Sequence, residues 1–145
     1  DIAALASKVI AEFEVRDPER RIRFTGAEPC MGKWDPTRVS QIVSNLVGNA
    51  LRHGTPNTPI SVHLHCGEKE VTFRVNNAGV VPKEIHPSMF DPFRRGREAT
   101  GSSDGLGLGL YIVQQVVSAH GGRIGFESNE AEGTTFTVTL PRTCE

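Results

Sequence analysis

Asn45, Asn49 and Arg52 stand at i, i+4 and i+7 in the stretch Asn45-Leu46-Val47-Gly48-Asn49-Ala50-Leu51-Arg52-His53, so on a helix two amides and a cation share one face. An amide oxygen is a hard donor suited to Mg2+, which takes few protein ligands and completes its shell with water and substrate phosphates. An arginine beside such an ion neutralises phosphate charge. A solvated polar face has the same composition, so these residues alone do not decide between the two.

A second candidate lies in Asp104-Gly105-Leu106-Gly107-Leu108-Gly109-Leu110, where glycines alternate at the start of a helical pattern. Unhindered backbone N–H groups and the positive end of a helix dipole together receive phosphate oxygens. A glycine-rich turn that serves only tight packing is the plain alternative. The spacing matches neither the Walker pattern G-x-x-x-x-G-K-[ST] nor the dinucleotide fingerprint.

The elements that must carry these residues follow from periodicity. Asp35 is a good N-cap, Pro36 suits the first helical position, and apolar residues at 39, 42, 43, 46, 47, 50 and 51 form one stripe ending near Gly54. An earlier helix is expected from Ile2, Leu5, Ala6, Val9, Ile10 and Phe13, broken by the charged stretch Arg16 to Arg21. Ile22 and Phe24 alternate with polar neighbours before Gly26 and suggest a short strand. Ile60, Val62 and Leu64, then Gly67, then Val71, Phe73 and Val75 read as a hairpin with one buried face.

Between Pro82 and Asp104 prolines, arginines, glycines and serines accumulate, and Pro87 interrupts the only helical stretch, Lys83 to Phe90. A loop or lid is expected after Phe93. A third helix should begin within Gly105 to Gly109 and stop at Gly121-Gly122, with Leu108, Ile112, Val116 and Ala119 on one face. Strands Arg123 to Glu127 and Thr134 to Leu140 complete the pattern. The fold class expected is α/β, as an α+β two-layer sandwich: a mixed sheet covered on one face by about three helices.

Composition sets outer bounds. With 145 residues and 37% hydrophobic content, one soluble globular domain over 1–145 is expected, read as a fragment of something longer because no initiator Met is present. A formal net charge of -1 leaves no global positive field for phosphate backbones, which argues against nucleic acid and anionic membrane surfaces as partners. Cys30, Cys66 and Cys144 are odd in number and lack C-x-x-C spacing, so they are expected to be ordinary thiols in a reducing compartment. No apolar run approaches the roughly 20 residues a bilayer requires, and the start at Asp1 lacks a basic signal-peptide region.

Taken in order, these blocks resemble a known family. Asn45 to His53 resembles the N box of sensor histidine kinases, Phe90-Asp91-Pro92-Phe93 their F box, and Gly105 to Gly109 their second glycine box. Glu132-Gly133-Thr134-Thr135-Phe136 with Leu140-Pro141 resembles their closing strand. The likeness runs from about residue 35 to 141, and several weak motifs in the family order are jointly much less likely by chance than any one. It implies an ATP-binding catalytic domain with ATP and Mg2+ as cofactors, and an ATP lid between the F box and the second glycine box. Asn49 would ligate Mg2+, Asn45 would support the phosphates or a metal-bound water, Arg52 would reach the phosphates, and His53 would pack near the adenine. Gly105, Gly107 and Gly109 would face phosphate.

The first glycine box departs from the family's D-x-G-x-G. Strand phase groups Asn77 with Val71, Phe73 and Val75, so Asn77-Ala78-Gly79 matches its first half, with Asn76 as an alternative. An asparagine oxygen accepts from the adenine amino group as a carboxylate does, without charge assistance. Arg94 or Arg95 would clamp phosphate when the lid closes, against the ordinary reading of solvated loop charges. Thr134 would hydrogen-bond near the adenine while Thr135 points to the other side of the strand.

Phosphoryl transfer asks the protein mainly for positioning and charge stabilisation. None of His53, His63, His65, His86 and His120 sits in a helical His-Glu context, so the acceptor is expected on the protein's own dimerisation domain outside this chain. The resemblance also implies a response regulator as downstream partner and a cytoplasmic setting, and leaves the membrane status of the parent protein open. One rival is an ATPase of the gyrase, mismatch-repair or chaperone type, which has Glu where Asn45 stands, as general base for water. The other is a degenerate docking module without kinase activity, motivated by the altered first glycine box.

Overall fold

The computed structural model describes residues 1–145 except 17, 19–20, 27, 56–57, 92–108 and 143–145. Its elements follow the expected order: α1 (Ile2–Arg16), β1 (Ile22–Thr25), α2 (Pro36–His53), β2 (Ile60–Cys66), β3 (Glu70–Asn77), a 3₁₀ turn (Lys83–Ser88), α3 (Gly109–Ala119), β4 (Arg123–Asn129) and β5 (Gly133–Pro141). The strands form one mixed sheet in the order β1-β2-β3-β5-β4, with β1 parallel to β2 and the other pairs antiparallel.

Period-2 patterning puts Ile60, Val62 and Leu64 of β2, Val71, Phe73 and Val75 of β3, and Phe136, Val138 and Leu140 of β5 on one face, all buried. The helices cover that face, as expected. α2 is its centre: Val39, Ile42, Val43, Leu46, Val47 and Ala50 sink into the core, and Leu46 and Val47 are wholly inaccessible. Its start is fixed as the sequence suggests, with Asp35 Oδ1 accepting from Thr37 N and Arg38 N and Pro36 in the first turn. Gly54 N–H donates to Ala50 O at the other end.

Three expectations change. Pro87 does not abolish helical structure; the stretch becomes a 3₁₀ turn, whose short i to i+3 bonds tolerate the missing N–H. The face of α3 turned to the core is Leu110, Val113, Val116 and Val117, while Ile112 is half-buried and Ala119 exposed. The apolar residues form one arc opposite Gln114, Gln115 and Ser118, and the expected stripe through Ile112 and Ala119 took an edge of that arc instead of its centre; Leu108 lies outside the described residues. The third is that Cys30 and Cys66 are not free thiols. They form a disulfide across a separation of 36 residues, with Cα atoms 5.9 Å apart. The spacing argument failed because the β1–α2 connection folds back over the end of β2. Cys144 lies outside the described residues. No helix of the described residues is long and apolar enough to cross a membrane.

Candidate functional site

α2 runs unbroken from residue 36 to 53, so Asn45, Asn49 and Arg52 lie along one helix face. Asn49 is only 9% exposed, Asn45 is half-buried, and Arg52 and His53 are exposed in the last turn. Neither Asn45 nor Asn49 has its side-chain amide in a hydrogen bond among the described residues. For a group as buried as Asn49 that is a cost with no internal compensation, since buried amides nearly always find partners.

β3 brings up the second buried amide. Asn77 is 3% exposed and continues the core face of the strand, whereas Asn76 points the other way and donates to Glu132 O and Thr135 Oγ1. Asn77 Nδ2 donates to Ala78 O at 3.1 Å. A carbonyl accepts only from a donor, so this contact fixes the amide orientation and turns Oδ1 the opposite way. Oδ1 accepts no hydrogen bond among the described residues. Ala78 O also accepts from Thr55 N at 2.7 Å and Thr55 Oγ1 at 3.2 Å, tying the end of β3 to the exit of α2.

Two glycines let the chains meet here. Gly79 adopts φ +134°, and a Cβ there would sit 3.2 Å from His53 O. Gly133 adopts φ +81°, and a Cβ would lie 2.2 Å from Asn77 O, an impossible approach for any side chain. Thr134 follows, 3% exposed, and donates from Oγ1 to Gly79 O at 2.8 Å. Because its proton is committed, the 2.8 Å contact with Ser128 Oγ must run from Ser128 to Thr134. Ser128 Oγ in turn accepts from Val81 N at 2.8 Å. The chain from Val81 N–H through Ser128 and Thr134 to Gly79 O pins the segment after Asn77 against β4 and β5.

The sequence reading missed Ser128 and Thr55. Ser128 takes its role from the β4–β5 register, which pairs it with Thr134; Thr55 was findable by asking what satisfies the backbone after α2. The F-box Phe90 packs edge-on against Phe126 and Phe136, with ring centroids 6.0 and 6.3 Å away, and Asp91 is exposed. Gly109 opens α3 next to Asn45: a Cβ on it would meet Asn45 Oδ1 at 3.7 Å. The structure thus joins the N box to the end of the second glycine box. Arg94, Arg95, Gly105, Gly107 and the lid lie outside the described residues, as do Pro92 and Phe93.

Four polar residues are buried among the described residues, and Asn49, Asn77 and Thr134 are three of them. The donor set, amide oxygens on one helix and one strand end, fits a nucleotide with Mg2+ better than a metal cage: among the described residues no three His, Cys, Asp or Glu side chains gather as a metal site.

A family model described as histidine kinase-, DNA gyrase B-, and HSP90-like ATPase matches residues 34–143, and the chain belongs to that family. Within it, the likeness is to the histidine kinases. The catalytic domain of histidine kinase ThkA superposes with a TM-score of 0.80 at 30% identity, covering 97% of this chain and 93% of that one. The heme sensor protein HssS of Staphylococcus haemolyticus is 43% identical over 104 residues, 71% of this chain and 22% of that protein. The sensor histidine kinase WalK of Bacillus subtilis is 32% identical over 147 residues, 97% of this chain and 24% of that protein. The chain therefore spans less than a quarter of the length of these two relatives.

Proposed function

We propose that this domain binds Mg-ATP between α2, the end of β3 and the start of α3, and hands the γ-phosphate to a histidine on the parent protein's own dimerisation domain. The single observation that carries the reading is the pair of buried amides, Asn49 and Asn77, on facing elements, whose oxygens accept no hydrogen bond among the described residues. Asn77 would accept from the adenine amino group, and the Gly79 backbone with Thr134 would border the base. Asn49 would hold Mg2+ through its oxygen, Asn45 would orient the phosphates or a metal-bound water, and Arg52 would balance phosphate charge. When bound, the ion neutralises phosphate oxygens for in-line transfer. His53, Arg94 or Arg95, and the amides at Gly105, Gly107 and Gly109 complete the proposed contacts.

Asn45 also separates this reading from water hydrolysis. A neutral amide does not take a proton from water, whereas the glutamate of the hydrolytic relatives does. The phosphate then waits for an acceptor supplied from outside, consistent with a cytoplasmic domain serving a response regulator. A docking module without kinase activity is the competing reading, favoured only by the uncharged acceptor at Asn77.

Calorimetric titration with ATP, with and without Mg2+, tests the assignment. Saturable binding strengthened by Mg2+, and weakened about tenfold to a hundredfold in Asn49→Ala, is expected, the range for losing one charge-assisted contact. Absence of binding under every condition would transfer the case to the docking module.

A further inference from the structure

The Cys30–Cys66 bond sits inside a frame of hydrogen bonds. Arg142, just beyond β5, donates from Nε and Nη2 to Met31 O at 2.9 and 2.7 Å, and from Nη1 to Gly67 O at 3.0 Å. Met31 and Gly67 are the residues that directly follow the two cysteines. One planar guanidinium therefore grips the backbone on both sides of the disulfide, in a fixed fork geometry that a lysine does not reproduce. Lys33 N–H donates to Arg142 O and Arg142 N–H to Lys69 O, so the arginine is itself anchored to both segments.

The two cysteines differ in exposure: Cys30 is 1% exposed, whereas Cys66 is an exposed residue at the end of β2. Cys30 also reaches the start of α1, donating from N to Asp1 Oδ1 at 3.0 Å and accepting from Ile2 N at 2.9 Å.

We propose that Cys30 and Cys66 form a thiol–disulfide exchange site for low-molecular-weight thiols, with Arg142 as its positioning residue and the first turn of α1 as the element its redox state fastens. In the reducing direction a small thiolate attacks Sγ of Cys66, the more exposed of the two residues. The Sγ–Sγ bond breaks, and Cys30 leaves as a thiolate that takes up a proton. A second thiolate attacks the small-molecule sulfur of the mixed disulfide, freeing Cys66 and releasing the oxidised small disulfide. Two thiols lose two electrons in total and the protein disulfide gains them. Oxidation is the reverse, with a small disulfide as the electron acceptor. Because Arg142 keeps the two backbones together in the dithiol form, ring closure by the second cysteine outruns accumulation of the mixed disulfide.

The test equilibrates the 145-residue chain with graded mixtures of reduced and oxidised glutathione, followed by acid quench, alkylation and mass measurement. The expected species are the dithiol and the internal disulfide, with little glutathione adduct. Arg142→Ala should move the midpoint about tenfold or more toward the dithiol, and Arg142→Lys less. Trp34→Phe is the control for general stability, since it removes the bond from Trp34 Nε1 to Pro141 O at the same end without touching either carbonyl beside the cysteines. It should leave the midpoint within about twofold. A glutathione adduct as the main oxidised species would overturn the exchange pair, and an equal shift in Arg142→Ala and Trp34→Phe would overturn the brace. Amide exchange at Ile2 should slow on oxidation; equal rates in both redox forms would remove α1 as the responding element.

Discussion

β3 joins two ends of the molecule that treat polar groups in opposite ways. At its Glu70 end every donor of the Arg142 side chain described above finds a backbone carbonyl, and a covalent bond closes the same corner. At its Asn77 end one amide hydrogen is spent on Ala78 O, and the oxygen of that amide, like the whole amide of Asn49, has no partner among the described residues. The first end is a closed network and adds stability. The second is an open one, which costs stability until a ligand completes it. The contrast teaches where to look for function in a fold this regular: at the buried polar groups whose bonding is unfinished.

Substitutions can break that contrast at either end. The largest expected effect belongs to the closed end. Cys66→Ser removes a cross-link over 36 residues, for which the chain-entropy estimate is about 3–4 kcal/mol of stability. Urea denaturation of the oxidised wild type against the variant reads this directly. ATP affinity should stay within about twofold, because distant sites without shared partners act additively. A matching collapse of ATP binding would mean that the two ends are not independent.

At the open end, Asn77→Asp sharpens the comparison. A carboxylate restores a charged acceptor for an amino group, but it also replaces Nδ2, so an anionic oxygen then faces Ala78 O across the 3.1 Å now bridged by a hydrogen bond. At a position 3% exposed that substitution should cost about 1–3 kcal/mol in the free domain. Nucleotide should recover part of the loss, so the rise in Tm on adding saturating ATP should be larger in Asn77→Asp than in wild type. An equal or smaller rise would separate Asn77 from adenine recognition.

The two ends were not equally legible from sequence. Asn77 was assigned to the core side because a strand alternates with period two, and Val71, Phe73 and Val75 set the phase. α2 was readable for a similar reason, with Asp35, Pro36 and a seven-position apolar stripe all agreeing. What stayed hidden depends on contacts between distant segments. Cys30 and Cys66 carry no local signal of pairing, Arg142 reads as one more surface arginine, and Ser128 acquires its role only from the register of β4 on β5. α3 failed differently: Leu110, Val113, Val116 and Val117 hold the centre of its apolar arc, whereas the stripe expected through Ile112 and Ala119 follows one edge of that arc.

Two arginines at the closed end give the smallest and most discriminating prediction. Arg123 also bonds there, with Nη1 3.3 Å from Glu70 Oε2, but the side chains are 70% and 48% exposed. Water and salt screen such a pair, and holding two long side chains in one geometry costs entropy that offsets the attraction. Arg123→Ala should therefore change stability by less than about 0.5 kcal/mol. Arg142→Ala, by contrast, removes two bonds to the exposed Met31 O and a part-buried one to Gly67 O, and should cost about 1–1.5 kcal/mol. Both variants remove one positive charge from the same sheet end, so an electrostatic origin for the stability of this corner would make them equal. A clear difference in urea midpoints would instead assign the stability to the carbonyls that Arg142 satisfies, which is the property that distinguishes this end of β3 from the other.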